Sequence, residues 1–244
     1  MSRWLPAAAS AHAADIDLVM TLVHGLMLAL FVGWAIYFAW VLLRFRSARQ
    51  PVADHHGASG RVALGVEIGV VVAEAALLIA LALPLWFART AAQPSTPGPL
   101  IIRVVAEQFV WNVHYPGPDG AFGPTSLSLI GPTNPLGLDR SSPTGADDIV
   151  VLNQLHAPLN RPVNIQLSSK DVIHSFGVPA MRVKQDAVPG TVSPVWFTPT
   201  VAGTYDIACS QLCGLAHFRM RGTITVESAE AFQQFLAEEA TAPR

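Results

Sequence analysis

"GTYDIACSQLCGLAHFRMRG", residues 203–222, holds both cysteines of the 244-residue chain, with His217 four positions after Cys213 and Met220 three after that. It opens on a run of strand-forming residues, "GTYDIAC", and runs into a second, "GTITVES" (222–228), so the motif falls on a loop between two short strands. Cys213, His217 and Met220 offer a thiolate, an imidazole and a thioether. His174, in "DVIHSFGVP" (171–179) and placed at the end of a strand, offers a second imidazole. These are the soft and borderline ligands of a blue-copper electron-transfer site. One copper needs one thiolate; the second, at Cys209, lets two sulfurs bridge two metals. Other readings stay open at this point. A Cys209–Cys213 disulfide suits an oxidising compartment, but it leaves the histidines and methionine unused. Structural zinc rarely recruits methionine, and haem attachment needs a C-x-x-C-H spacing that is absent here.

Outward from this motif, short β-branched runs recur: "LIIRVVAEQ" (100–108), "WNVHYPGPDG" (111–120), "DIVVLNQLHAP" (148–158), "VNIQLSSKD" (163–171) and "VSPVWFTP" (192–199). Strands at this spacing predict an all-β sandwich or barrel. Residues 116–148, dense in Gly and Pro, read as a long surface excursion. "SAEAFQQFLAEEA" (228–240) predicts a closing helix capped by Ser228, with Phe232, Phe235 and Leu236 on one face.

The N-terminal part differs in kind. Two apolar spans, about 16–43 and 62–87, each exceed the roughly 20 residues needed to cross a bilayer core of about 30 Å. Trp34, Tyr37, Trp40 and Trp86 lie toward the span ends, where interfacial aromatics sit. The linker "TAAQPSTPGP" (90–99) divides a hairpin of residues 1–93 from a domain of residues 94–244. Arg44, Arg46, Arg49 and Arg61 occupy the loop between the spans, against only Arg3 and Arg89 outside it. The positive-inside rule therefore puts that loop in the cytoplasm and both termini, with the large domain, on the periplasmic face. No apolar segment precedes "AAASAHA" (7–13), so no cleaved signal peptide is expected. With a net charge of -2, the chain shows no basic excess for a nucleic-acid partner. Ala- and Arg-rich usage suggests a bacterium, and with the two spans the expected location is a bacterial inner membrane.

The whole pattern resembles subunit II of the haem-copper cytochrome c oxidases, whose signature is C-S-E-x-C-G-x-x-H-x-x-M. The likeness takes in the two spans, "YPGPDG" after a Trp-bearing strand, "DVIHSFGVP", "VKQDAVPG" and the opening motif. It implies a two-helix transmembrane hairpin followed by a cupredoxin-like Greek-key sandwich carrying the dinuclear copper centre CuA. By that resemblance Cys209 and Cys213 bridge both coppers. His174 and Met220 complete one copper; His217 and the backbone carbonyl of Gln211 complete the other. The family's usual Glu is Gln211 here, which leaves the carbonyl but removes a carboxylate that many relatives lend to magnesium, so magnesium is expected to be weak or absent. The implied function is electron entry into a terminal oxidase, from a c-type cytochrome or similar donor to haem in subunit I, with subunit III as a further neighbour. A nitric oxide reductase subunit and a copper-delivery protein are the alternatives.

Relatives receive electrons through a Q-W-Y-W patch; this chain reads "QFVW", Gln108 to Trp111, so Phe109 stands at the usual entry tryptophan and Trp111 is retained. Glu107, Asp119, Asp147, Asp148 and Asp171 are candidates for steering a basic donor. No C-x-x-C-H follows the motif, so a separate protein is expected to supply the electron. Glu67 matches a family glutamate that opens a proton-uptake path into subunit I. Glu74 lies about two turns further along the same face and is expected to pack against that partner. His24 is expected to be an interfacial or helix-packing residue.

Overall fold

The computed structural model describes residues 5–52, 55, 60–90 and 98–241. Its contacts form two compact units, Ala14–Ala92 and a second made of Met1–Ala13 with Gln93–Arg244. Arg3 and residues 91–97 of the expected linker lie outside the described residues, as does the side chain of Arg89.

The first unit is helical. Helix α1 (Ala13–Arg44) is followed by α2 (Arg61–Leu77), a π-helical turn at Leu78–Ala82, and α3 (Leu83–Thr90). Mean hydropathy reaches 2.3 in α1 and 2.5 in the second run, and neither apolar stretch is buried within the chain. Each is long and apolar enough to cross a membrane, at the two expected places. The π turn has a local cause. Pro84 has no N–H to give, and in the turn before it the Leu83 N–H reaches back five residues to the Leu78 carbonyl.

The second unit is a sandwich of two five-stranded sheets. Strands β1 (Leu100–Glu107), β2 (Val110–Tyr115), β3 (Ile149–Leu152), β5 (Val163–Ser169) and β8 (Ser193–Phe197) make one sheet, in the order β3-β2-β1-β5-β8. Strands β4 (Gln154–Pro158), β6 (His174–Val178), β7 (Val183–Ala187), β9 (Gly203–Cys209) and β10 (Arg221–Glu227) make the other, in the order β4-β10-β9-β6-β7. Alternation supplies the core between them. Ile102, Val104 and Ala106 of β1, Ile165 and Leu167 of β5, Ile207 of β9 and Ile224 of β10 are all fully buried. Each large aliphatic among them contributes about 1.5–3 kcal/mol of burial. Helix α4 (Ala229–Thr241) closes the chain. Ser228 Oγ accepts from the Ala231 N–H as its cap, Phe232 is buried, and Phe235 stacks on His156 with ring centres 3.7 Å apart.

Three details depart from the sequence expectations. "DIVVLNQLHAP" is two strands, β3 and β4, in different sheets, because Asn153 between them adopts φ 60° and turns the chain at the sandwich corner. His174 opens β6 instead of ending a strand. Residues ahead of α1 join the sandwich rather than the hairpin. There Ala9 and Ala11 donate to the carbonyls of Ala180 and Thr198, Thr200 donates back to Ala9, and Ser10 Oγ donates to the Met181 carbonyl. Nothing in the composition of "AAASAHA" announces this edge pairing, since most of its bonds run through the backbone.

Candidate metal centre

Strand β9 ends on Cys209 at 9 % exposure, and the chain then loops through Cys213 to a short 3-10 turn at His217–Arg219 before Met220 starts the return into β10. The backbone closes this loop on itself: Cys209 N–H bonds the Met220 carbonyl, and Met220 N–H bonds that of His217. Neighbouring β6 brings His174, fully buried, against the same sulfurs. The two thiols lie 3.8 Å apart. His174 Nδ1 is 3.1 Å from Met220 Sδ and 4.0 Å from Cys209 Sγ. His217 Nδ1 is 3.5 Å from Cys213 Sγ, and the Gln211 carbonyl is 3.1 Å from Cys209 Sγ. Donor atoms of His174, Cys209 and Cys213 fall within 4.8 Å of one another, a cluster that can hold a metal ion. All six residues singled out in the sequence, from His174 to Met220, are thus brought together. Each imidazole presents Nδ1 toward the sulfurs, and Met220 Sδ lies 3.7 Å from Cys213 Sγ. That donor chemistry fits two soft metals sharing two thiolates.

The surroundings orient this set. His174 Nε2 is held at 2.8 Å by Asp171 Oδ1, which fixes the ring and leaves Nδ1 free for the centre. Burial pushes the Asp171 carboxyl up, but bonds from His174 and from the Gln108 and Val172 N–H groups outweigh it and hold the carboxyl below its ordinary value. Burial raises the Cys213 thiol to about 11, and the Cys209 sulfur beside it adds to the rise. A pair of thiolates here therefore needs a cation, and metal binding must release protons.

Phe109 sits partly buried on the β1–β2 turn over this loop; a β-carbon on Gly214 would fall 3.2 Å from its ring. Trp111 is fully buried, its ring centre 6.2 Å from that of His174 and 5.5 Å from that of Phe176. It is a core residue beside the cluster, with no surface to offer a donor protein. The expected acidic surface is also largely committed. Asp148 is fully buried against His114, Glu107 pairs with Lys170, and Asp171 serves His174. What the sequence did not single out is apolar: Leu212, Leu215 and Phe218, at 79 %, 99 % and 81 % exposure, project from the metal loop. Three large apolar residues interleaved among ligands were the available signal. In the helical unit Glu67 and Glu74 are both exposed on α2, and His24 Nδ1 bonds the Met20 carbonyl of its own helix at 2.7 Å.

A family model described as "Cytochrome C oxidase subunit II, periplasmic domain" matches residues 100–229. The alternative cytochrome c oxidase subunit 2 of Bradyrhizobium diazoefficiens is 34% identical over 214 residues, covering 86% of this chain and 75% of that one. A probable cytochrome c oxidase subunit 2 of Rickettsia bellii is 31% identical over 210 residues, covering 86% and 73%. Among solved structures, the periplasmic domain of subunit II of cytochrome oxidase from Bradyrhizobium japonicum is 29% identical and covers 57% of this chain and 92% of that domain, with a TM-score of 0.43.

Proposed function

The chain belongs to the cytochrome c oxidase subunit II family, and from that premise we propose that it is the copper-bearing electron-entry subunit of a terminal respiratory oxidase in a bacterial inner membrane. One observation carries the reading: two thiols 3.8 Å apart stand between two Nδ1 atoms, a thioether and a backbone carbonyl. When bound there, a dinuclear copper centre would supply one-electron redox chemistry. Cys209, Cys213, His174, Met220, His217 and the Gln211 carbonyl would hold it. The rest of the work falls to the protein. The β4-β10-β9-β6-β7 sheet holds both ligand segments, Asp171 locks the His174 ring, and burial keeps water from the sulfurs. Phe109 and the exposed apolar residues of the metal loop form the contact for a c-type cytochrome or similar donor, and Trp111 packs behind them. Because most nearby acids are internally paired, turnover with that donor should respond only weakly to salt.

Electrons leave to haem in subunit I, where oxygen is reduced to water, with subunit III as a further neighbour in the complex. Glu67 on α2 faces that partner and opens a proton-uptake path; Glu67→Gln should slow proton uptake, and an unchanged uptake rate would remove the role. Both termini and the copper domain lie on the periplasmic side, a topology supported by the pairing of residues 9–11 with the sandwich. Gln211 offers a neutral amide where a carboxylate would serve magnesium, so that ion is weakly held or absent. Stoichiometric magnesium coordinated by residue 211 would contradict this. The central test is metal content of the purified full-length chain in detergent: two coppers and a purple mixed-valence spectrum are expected. One copper or none would overturn the proposal.

A further inference from the structure

Gln108, at the turn between β1 and β2, reaches both segments that bear metal donors from the opposite sheet. Its backbone N–H donates to Asp171 Oδ2 at 2.7 Å, and the other oxygen of that carboxylate holds His174 Nε2 at 2.8 Å. Its side-chain Nε2 donates to the Cys213 carbonyl at 2.6 Å. A carbonyl can only accept, so the amide nitrogen and not its oxygen must face Cys213. Gly214 is what permits the approach, since a β-carbon there would stand 2.7 Å from Gln108 Nε2. Three of these four groups are backbone or are already tied to a ligand. The Gln108 amide is the side chain by which the hairpin hydrogen-bonds the metal loop.

We propose that Gln108 is a positioning residue for the metal loop: by fixing the Cys213 carbonyl it sets the direction of Cys213 Sγ, and it ties the hairpin carrying Phe109 to both sides of the donor set. The peptide after Cys213 leads into a glycine at φ 136°, a residue with wide backbone freedom. A metal constellation must be held to within about 0.5 Å by the groups around it. The Gln108 bond removes the rotation that Gly214 would otherwise allow, so loss of the amide donor should loosen one thiolate without removing any ligand.

The inference rests on the copper reading above, and the test separates the two. Full-length chain in detergent is loaded with copper for the wild type and for Gln108→Met and Gln108→Glu, which keep the side-chain length but present no amide N–H. Copper content, the near-infrared and electron-paramagnetic-resonance signatures, and release of copper to a chelator are compared. Both variants are expected to hold two coppers, to shift the copper hyperfine pattern, and to release metal about three- to tenfold faster, the range one net hydrogen bond supports. Val105→Ala, a half-buried position of β1 on the same hairpin, leaves the amide in place, serves as the control for general loosening of the hairpin and should release copper at the wild-type rate. Wild-type spectra and release rates in both Gln108 variants would overturn the inference, as would equal acceleration in Val105→Ala. A wild-type chain without two coppers would instead defeat the underlying function.

Discussion

Two irregular segments of the sandwich, the excursion at 116–148 and the metal loop at 209–220, are each organised around buried polar groups, but the groups differ in kind. The excursion winds about Asp148, whose carboxylate accepts from His114 Nε2 at 2.6 Å, Gly123 N–H at 2.8 Å and Gly117 N–H at 3.1 Å. Arg140 Nη1 donates to the carbonyl of the same residue, and the Arg103 guanidinium lies 4.1 Å over Phe122, a neighbour of the His114 ring. Donors surround an acceptor, and nothing further is wanted. In the metal loop thiols, imidazoles and a carbonyl converge, and the bonds among them are the weak ones that sulfur makes. A buried carboxylate fully supplied with N–H groups is a clasp; soft donor atoms gathered about two weakly bonded thiols form a socket for a cation.

The sharpest attempt to break that contrast replaces a bridging thiol. Cys209→Ser should abolish the mixed-valence spectrum entirely while leaving the β-sheet circular dichroism intact; a surviving spectrum would remove Cys209 from the bridge. Next in size is the clasp. Asp148→Ala leaves His114 and two N–H groups buried without their acceptor, and should cost about 3–5 kcal/mol of sandwich stability in a denaturant titration. Two coppers should still load wherever the variant remains folded. A smaller effect is expected at Gly123, where a β-carbon would fall 2.3 Å from the Gly145 Cα. Gly123→Ala should destabilise by about 1–3 kcal/mol with no change in copper content.

The gentlest probe is pH. Burial lowers the His114 pKa below its ordinary 6.5, against the opposing pull of Asp148. The unfolded chain then takes up a proton before the folded one does. The contribution of His114 is complete above pH 6.5 and is lost as pH falls from there through the lower folded value. The melting temperature of the copper-free chain should decline over that window, and the decline should be reduced in His114→Gln. An equal decline in both proteins would place the titrating group elsewhere.

Much of this was legible in one dimension. The two apolar runs, the alternating strands, the capped closing helix and five of the donor-bearing residues followed from pattern and chemistry, because hydrophobic period and metal preference are properties of side chains; the Gln211 carbonyl was implied by the family resemblance alone. The π turn was less visible; Pro84 announced a disturbance but not its form. The corner at Asn153 was missed because one left-handed residue inside a β-branched run leaves no break in composition. The acids were misjudged for a related reason. Glu107, Asp148 and Asp171 look alike as letters, yet one pairs with a lysine, one clasps a loop and one orients a ligand.

Taken alone, then, the amino-acid order pointed to the Cys–His–Met motif, the two apolar spans and most of the strands, since each is a pattern of side chains a few positions apart. Only the tertiary structure decided that Gln108 meets Cys213, that Trp111 is buried beside His174, and that residues ahead of α1 pair with the sandwich. Those contacts join segments some 60 to 190 positions apart, and two of the three end on backbone groups, which every residue carries and no sequence pattern distinguishes.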